Sequence, residues 1–350
     1  MTIFSSILDR VGDTPILALD GLLPDGSAKL YVKLEGSNPG GSIKDRPALN
    51  MIERAEAAGL LKPGGTVVES TSGNLGVALA MACAVKGYRC VIVMDPRTNA
   101  TNVAMVRALG GETDIVTEMN PADGTYQEAR IARAQHLAET IPGAYMPFQY
   151  SNPWNAEAHL DSTAQEIHDA LDGGPDAVVA SVSTAGQITG IGTGLRRLGA
   201  DTRIVGVDVK GSVVFGGQKG KTSVTGMGLA WKPDNLDEGV VDDAYLVETA
   251  PCFTAARIVG KRFGVLLGGS SGASLFTAMH VAMTLGPDKT VLAIAADRGE
   301  KYLDEFFSDE WMRERNLPID DDLDRLLAEA RTLEIFRHPK AEMADKRVAA

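Results

Sequence analysis

The sequence predicts an α/β protein made of two doubly wound parallel-sheet domains that share a cleft. One observation is a repeated order of segments: an apolar strand, a turn rich in Gly and Ser, a helix, and another strand. A second is the length, because 350 residues exceed one small core and suit two domains. A third is the 38 glycines, which fit many tight turns and close approaches of backbone to a ligand.

The elements follow from periodicity and from turn residues. Strands are predicted over residues 16–18, 30–34, 66–69, 90–94, 112–116, 177–182, 203–209 and 290–296. Helices are predicted over residues 5–15, 101–109, 126–141, 155–171, 254–263, 273–285 and 320–333; further helices end near Ala58 and Lys86 or begin at Ile188. Residues 210–237 show no period, so we expect an irregular segment near the functional site.

Composition argues against several classes of function. The net charge of −12 disfavours non-specific binding to nucleic acid or to a membrane surface. No apolar run reaches the roughly 18 residues that a membrane helix needs. The N-terminus lacks a basic region followed by an apolar core, so we expect no signal peptide and a cytoplasmic location.

Neither a metal site nor a disulfide framework is predicted. The three cysteines, Cys83, Cys90 and Cys252, show no CxxC pairing, and the five histidines are scattered. Cys83 lies in an apolar run and is expected to be a small core residue.

One turn places a lysine at the expected start of a helix. The segment Asn38-Pro-Gly-Gly-Ser-Ile-Lys-Asp-Arg46 follows a predicted strand, and Ser42 can cap the helix. Near a helix N-terminus the macrodipole disfavours the protonated amine, which suits Lys44 as a nucleophile and base. The alternative is a solvated lysine paired with Asp45 or Glu35, which is the commoner situation for any single lysine.

Three other turns share this strand–turn–helix arrangement: Ser70–Gly76, Ser183–Gln187 and Gly268–Gly272. In a doubly wound sheet such turns converge at the carboxyl edge of the strands, where ligands bind. We therefore expect one site built from four turns.

Each of these turns offers a different set of polar groups. Ser183-Thr-Ala-Gly-Gln187 is suited to a phosphate, because backbone N–H groups open the following helix. Ser70–Gly76 offers three hydroxyls and the Asn74 amide, which suits a carboxylate. Gly268–Gly272 presents a neutral hydroxyl where we expect no titratable group nearby. Ordinary helix capping is the alternative explanation for each turn.

One glycine pattern is misleading. Gly190-Ile-Gly-Thr-Gly194 resembles a dinucleotide fingerprint, but it lies within a predicted helix rather than directly after a strand. No acidic residue follows at the required place, so nicotinamide binding is disfavoured.

In their order and residues, these turns resemble those of the fold-type II pyridoxal phosphate enzymes of the cysteine synthase family. The matching segments are residues 38–46, Thr71-Ser-Gly-Asn74, Ser183-Thr-Ala-Gly-Gln187 and Gly269-Ser-Ser-Gly-Ala273. The resemblance covers residues 5–310. It implies a tryptophan synthase β-like fold with pyridoxal 5′-phosphate in the cleft between the two domains.

The resemblance also implies domain bounds. Residues 1–44 with 148–316 would form the larger, cofactor-binding domain, and residues 45–147 the smaller, mobile domain that binds the substrate carboxylate. Residues 317–350 would form a peripheral, acidic and helical tail. A homodimer is the assembly that the family implies.

Roles for individual residues follow from the same resemblance. Lys44 would bond covalently to the cofactor, Asn74 would contact its 3′ oxygen, and Ser270 would face its ring nitrogen. The cofactor phosphate would be held by Ser183, Thr184, Ala185, Gly186 and Gln187. The amino-acid substrate would be bound by Thr71, Ser72, Gly73, Asn74, Gln149 and Tyr150.

One branch of the family is more similar than the others. It makes N-(2-amino-2-carboxyethyl)-L-glutamate from O-phospho-L-serine and L-glutamate on the 2,3-diaminopropionate route to siderophores. It shares Lys44-Asp-Arg-Pro-Ala48, Glu69-Ser-Thr-Ser-Gly-Asn-Leu-Gly76 and Val207-Asp-Val-Lys-Gly-Ser-Val213. The likeness implies β-replacement through an α-aminoacrylate, with phosphate as the leaving group.

Several alternatives stay open at this point. Ala185 and Gln187 replace the usual Gly and Thr of cysteine synthases, which leaves the second substrate open between glutamate and sulfide. Lys210, which follows a strand end, is the first choice for the cation that a phosphate leaving group needs, and Lys219, Lys221, Arg46, Arg130 and Arg133 are the other candidates. Ser212 is a further candidate for substrate binding. The other hypotheses for the function are a dehydratase-like eliminase and a catalytically silent scaffold protein.

Overall fold

The computed structural model describes residues 3–119 and 126–349. Residues 1–2, 120–125 and 350 lie outside the described residues. The predicted domain segments 1–44, 45–147 and 317–350 each include some of them. The chain divides into two compact units: unit 1 is the chain up to Gly12 with Asn38–Asn155, and unit 2 is Asp13–Ser37 with Ala156–Ala350. The domain bounds expected from the family resemblance stay predictions.

The described residues form ten strands and twelve α-helices. The strands are β1 (Ile16–Ala18), β2 (Lys29–Leu34), β3 (Thr66–Ser70), β4 (Arg89–Met94), β5 (Glu112–Ile115), β6 (Ala144–Tyr145), β7 (Ala177–Ser181), β8 (Arg203–Val209), β9 (Asp243–Val247) and β10 (Thr290–Ala295). The helices are α1 (Asp45–Ala57), α2 (Asn74–Lys86), α3 (Ala100–Ala108), α4 (Tyr126–Thr140), α5 (Pro153–Ala158), α6 (Ala164–Ala170), α7 (Gly186–Arg197), α8 (Thr249–Phe263), α9 (Gly269–Leu285), α10 (Asp309–Glu314), α11 (Leu323–Arg331) and α12 (Pro339–Ala349).

Unit 1 contains a four-stranded parallel sheet in the order β5-β4-β3-β6. Strand β3 is buried on both faces because both faces are covered. Val67 packs with residues of α1 and α2. Val68 points the other way and packs with Ala134 of α4. The unit is therefore doubly wound, as predicted.

Unit 2 contains a six-stranded sheet in the order β1-β2-β10-β7-β8-β9. All neighbours run parallel except β1, which pairs antiparallel with β2. Helix α9 packs on β10, β7 and α8, and this layer contains the stacked rings of Phe253 and Phe306. The Ser183 turn follows β7, as predicted. The Gly268 turn instead joins α8 to α9, so the predicted strand–turn–helix arrangement is wrong for that turn.

The fingerprint-like glycines lie inside α7, where they allow close helix packing. A Cβ on Gly190 would lie 2.1 Å from the carbonyl oxygen of Ala156, and one on Gly194 would lie 2.4 Å from the Cβ of Ala164. Both partners belong to the helical stretch that precedes β7. These glycines are thus explained by packing, in agreement with the sequence-based rejection of a nicotinamide site.

The structure corrects several predicted elements. The predicted helix over 155–171 is α5 and α6 joined by a π-helical turn, His159–Thr163. The predicted helix over 5–15 is a single 3₁₀ turn, Ile7–Arg10. Strands β6 and β9 were not predicted, because β6 has two residues and β9 begins with an acidic residue at a sheet edge.

Three further features bear on function. Among the described residues, no helix combines the length and the apolar character that crossing a bilayer requires. Cys83, Cys90 and Cys252 are buried and not disulfide-bonded, which confirms Cys83 as a core residue. Within residues 3–119 and 126–349, no three His, Cys, Asp or Glu side chains are grouped so that they could hold a metal ion.

Candidate active site

Lys44 directly precedes helix α1, as the sequence predicts. Its side chain is half-buried, and its backbone N–H donates to Ser42 Oγ at 3.2 Å. The expectation that Ser42 caps α1 is wrong, because the N-cap position is Lys44 and no side chain caps the helix there. Ser42 lies three residues before the first helical residue and instead accepts from the N–H of Lys44. The backbone at Lys44 is therefore fixed by the turn.

The turn before Lys44 is held by an aspartate. Asp45 Oδ2 accepts a hydrogen bond from the Gly40 N–H at 2.5 Å, and Asp45 is buried. A Cβ on Gly40 would lie 2.5 Å from Asp45 Oδ1, so a larger residue there would displace the Asp45 carboxylate. The Gly-rich sequence and the acidic residue after the lysine thus together shape the turn.

The Thr71–Asn74 turn joins β3 to α2. The Thr71 N–H donates to the Val93 carbonyl at 3.1 Å, and the Gly73 N–H donates to Thr71 Oγ1 at 3.2 Å. Ser72, Gly73 and Asn74 are half-buried. Because Asn74 is the first residue of α2, nearby N–H groups of its first turn are available to an anion.

Gln149 is brought to the same turn by a buried carboxylate. Glu69 Oε1 accepts from the Ser70 N–H at 2.8 Å, and Oε2 accepts from the Gln149 N–H at 3.2 Å. Gln149 Nε2 also reaches the Ser70 carbonyl at 3.5 Å. The structure therefore brings together the predicted carboxylate-binding groups of the 71–74 turn and Gln149.

Glu69 is a buried residue beside the candidate site, and sequence reasoning assigned it no role. It is fully buried, and burial raises its pKa from 4.5 to about 7, while hydrogen bonds from backbone N–H groups act in the opposite direction. Phe148, beside Gln149, has a left-handed φ of 52°, a sparsely populated conformation that often occurs at functional sites. An acidic residue directly after two valines of a predicted strand was the available signal for Glu69.

Arg130 lies at the carboxyl edge of the same sheet. It is 5% exposed, and its Nε lies 3.3 Å from Asp95 Oδ2, just after β4. Among the described residues, Nε and Nη1 of Arg130 have no hydrogen-bond partner. Burial raises the pKa of the Tyr150 hydroxyl, and the nearby charge of Arg130 acts to lower it. Arg130 thus lies close to Tyr150 and offers unused donors.

The other candidate cations differ from Arg130. Arg133 is partly exposed and pairs with Asp114 at 2.8 Å. Lys210 is exposed and pairs with Glu248 at the surface. Ser212 is fully buried and bonds with Leu229, donating to its carbonyl at 3.2 Å and accepting from its N–H at 3.0 Å. Substrate roles for Lys210 and Ser212 stay predictions.

The Ser183–Gln187 turn of unit 2 follows β7 and opens α7. Ser183 is half-buried, and Thr184 and Gly186 are buried. Ala185 has a left-handed φ of 63°, a conformation that favours glycine. Gln187 Nε2 is buried and has no hydrogen-bond partner among the described residues. A donor of this kind beside a helix N-terminus fits a phosphate.

Ser270 lies in the first turn of α9 and is 4% exposed. The expectation that no titratable group lies near this turn is wrong. A Cβ on Gly268 would lie 1.8 Å from Asp297 Oδ1, and Tyr302 donates its hydroxyl to Asp297 Oδ2 at 2.7 Å. Asp297 follows β10 and is distant in sequence from the turn, so no local pattern could predict this approach.

Two sheets of mainly parallel strands, a lysine directly before a helix and a turn suited to phosphate define a cofactor-dependent α/β enzyme. Residues 7–297 match the family described as "Pyridoxal-phosphate dependent enzyme", and the chain belongs to that family. It is a pyridoxal 5′-phosphate-dependent enzyme of the β-replacement class. The residues of the candidate site fit this group, because the Gln187 amide and the N-terminus of α7 offer unused donors.

Two of the proteins that are similar in sequence to this chain are named as different enzymes. The chain is 39% identical over 310 residues to N-(2-amino-2-carboxyethyl)-L-glutamate synthase of Ralstonia nicotianae, covering 89% of this chain and 91% of that protein. It is 39% identical over 307 residues to a probable cysteine synthase of Bacillus subtilis, covering 87% and 97%. Among solved structures, O-ureido-L-serine synthase is similar, with 34% identity, a TM-score of 0.82, and 93% and 100% of the two chains covered.

Proposed function

We propose that the enzyme condenses O-phospho-L-serine with L-glutamate, which yields N-(2-amino-2-carboxyethyl)-L-glutamate and phosphate. The observation that carries this proposal is Arg130, a buried guanidinium whose Nε and Nη1 lack hydrogen-bond partners among the described residues. A phosphate ester carries about two negative charges and needs such a group, whereas an acetyl ester is neutral.

The position of Arg130 supports this role. The Thr71 N–H donates to the carbonyl of Val93, near the carboxyl end of β4. Asp95 follows two residues after Val93 and is the ion-pair partner of Arg130. Arg130 is thus on the edge that carries the proposed α-carboxylate site. Its charge also acts on the pKa of Tyr150, which adjoins Gln149. A substrate with carboxylate and phosphate ends matches these two groups of donors.

In this proposal Lys44 would hold the cofactor through a covalent bond, and Asn74 and Ser270 would contact its ring. Backbone N–H groups and side chains of the 183–187 turn, including the Gln187 amide, would hold its phosphate. When bound, the cofactor supplies an electron sink for charge that develops at the substrate Cα.

The chain's own residues do the following work. Thr71, Ser72, Asn74 and Gln149 hold the α-carboxylate and so orient the Cα proton. The Lys44 amine, once the substrate amine has displaced it, would take that proton and later return it to Cα. Arg130 would stabilise the phosphate as the Cβ–O bond breaks. The glutamate amine would then form a bond to Cβ and release one proton. A neutral Ser270 hydroxyl would favour elimination over transamination.

The proposal is tested by product analysis of the purified enzyme. With O-phospho-L-serine, phosphate release should require L-glutamate, and mass spectrometry should identify N-(2-amino-2-carboxyethyl)-L-glutamate. O-acetyl-L-serine serves as the matched donor without the phosphate charge. Phosphate release without glutamate, with formation of a keto acid and ammonia, would instead identify an eliminase.

A cysteine synthase is the second candidate. It is favoured by the equal identity to the probable cysteine synthase of Bacillus subtilis. Replacing L-glutamate by sulfide in the same assay separates the two, because a cysteine synthase would form cysteine and leave glutamate unused. A role in siderophore precursor synthesis depends on the glutamate outcome.

The assembly and the location stay predictions. The family resemblance implies a homodimer, and the sequence alone led us to expect a cytoplasmic location. Ile3 is 94% exposed, and Phe4 and Ile7 are also exposed, so the N-terminal segment of unit 1 presents apolar surface. Light scattering of the holoenzyme would give its mass in solution.

A further inference from the structure

The C-terminal segment lies beyond the residues that match the family, which end at residue 297. We propose that Arg337 in this segment is a positioning residue that holds the 211–229 loop against the cofactor-binding turns of unit 2. The 211–229 loop is the irregular segment after β8. The proposal deepens the proposed function, because it rests on the cofactor lying beside Ser183 and Ser270.

Arg337 is fixed on the sheet edge by its own backbone. The Ala244 N–H donates to the Arg337 carbonyl at 2.9 Å, and the Phe336 N–H donates to the Ala244 carbonyl at 2.8 Å. Ala244 belongs to β9, the edge strand of the six-stranded sheet. The segment thus adds a short antiparallel pairing to that edge, and the Arg337 side chain starts from a fixed point.

The Arg337 guanidinium joins the C-terminal segment to the loop. Its Nη1 donates to the Phe215 carbonyl at 3.0 Å and lies 3.3 Å from Glu238 Oε1. Its Nε donates to Glu342 of α12 at 3.1 Å, so the planar group is held on two sides. A lysine has a single ammonium and could not reproduce this fork.

Phe215 is held in place on both sides, so its hydrogen bond with Arg337 can restrain the rest of the 211–229 loop. It is fully buried, and its N–H donates to Asp208 Oδ2 at 3.4 Å. A Cβ on Gly206 of β8 would lie 2.6 Å from Phe215 Cζ, so the ring fills the space that this glycine leaves. Both backbone polar groups of Phe215 are therefore bonded to charged side chains.

The loop continues from Phe215 to the cofactor-binding turns. The Val213 N–H donates to the Leu229 carbonyl at 2.9 Å, which pairs the two ends of the loop. The Gly228 N–H donates to the Val182 carbonyl at 2.8 Å, directly before Ser183. A Cβ on Gly226 would lie 3.7 Å from Ser270 Oγ. A continuous set of contacts thus joins Arg337 to both turns.

The test compares Arg337→Met with Arg331→Met, an exposed arginine at the end of α11. Hydrogen exchange of the holoenzyme is followed by mass spectrometry, together with the rate of cofactor release and the separate kcat and KM values. In Arg337→Met, peptides covering residues 211–229 should exchange about tenfold faster, and cofactor release should accelerate. Arg337→Lys should restore little, and Arg331→Met should match the wild type.

Glu342→Gln serves as a second variant should Arg337→Met fail to fold. It weakens one side of the Arg337 fork and should shift loop exchange in the same direction by a smaller amount. Unchanged exchange of residues 211–229, with loosening confined to α12, would overturn the proposal. Faster loop exchange with wild-type cofactor release would also overturn it, while the product assay would still decide the proposed reaction independently.

Discussion

The Glu69 carboxylate accepts a hydrogen bond from the backbone N–H of Gln149 at 3.2 Å, across 80 positions of the sequence. Its other oxygen bonds the Ser70 N–H, directly before Thr71. One buried acid therefore sets the spacing between the two segments that we propose for the substrate α-carboxylate.

Stability should depend on pH through Glu69. Burial raises its pKa from 4.5 to about 7, so the folded protein binds more protons than the unfolded chain between these values. The stability that the protonated form contributes is complete below about pH 4.5 and is lost as the pH rises through about 7. The shift corresponds to about 3 kcal/mol at most.

The measurement is the free energy of unfolding in urea from about pH 5 to about pH 8. Glu69→Gln cannot ionise, so this variant should lose that part of the pH dependence. The exposed Glu248→Gln is the control and should retain it. An unchanged pH profile in Glu69→Gln would show that Glu69 does not titrate as its burial requires.

Ala185 should be a source of strain in the phosphate turn. Its φ of 63° favours glycine, so Ala185→Gly should stabilise the fold by up to about 1 kcal/mol. Ala180→Gly, inside strand β7, should instead destabilise by about 1 kcal/mol. Thermal unfolding of both variants checks the opposite signs, and equal losses of stability would contradict the argument.

Arg130 should discriminate between leaving groups. Arg130→Lys keeps the charge beside Asp95 but loses the planar fork, so KM for O-phospho-L-serine should rise roughly tenfold or more. KM for O-acetyl-L-serine should change little. Arg133→Lys, at the partly exposed pair with Asp114, is the matched control. A similar rise for both donors would assign Arg130 to general packing rather than to the phosphate.

The strands, helices and turns that carry the site were predictable because their signals are local. The apolar run of β7 and the small residues after it predict the Ser183 turn without tertiary information, and the structure confirms the turn before α7. The same holds for Lys44 before α1, where the glycines and Asp45 mark a tight turn.

What the sequence could not show depends on contacts between distant segments. Asp297 approaches Gly268 only because β10 ends beside that turn. Arg130 is buried at a strand edge by the packing of α4, although its helix is charged throughout. Neither Asp297 nor Arg130 belongs to a periodic pattern or a spaced motif. The acidic neighbour of the Ser270 turn and the burial of Arg130 therefore became visible only in the folded structure.

The central claim is that Lys44 carries the cofactor. Borohydride reduction of the holoenzyme followed by peptide mass spectrometry fixes and locates the lysine–cofactor bond. We predict a pyridoxyl-phosphate adduct on Lys44, loss of the adduct and of turnover in Lys44→Ala, and retention of both in the exposed Lys62→Ala. An adduct on another lysine, or full turnover in Lys44→Ala, would contradict the account.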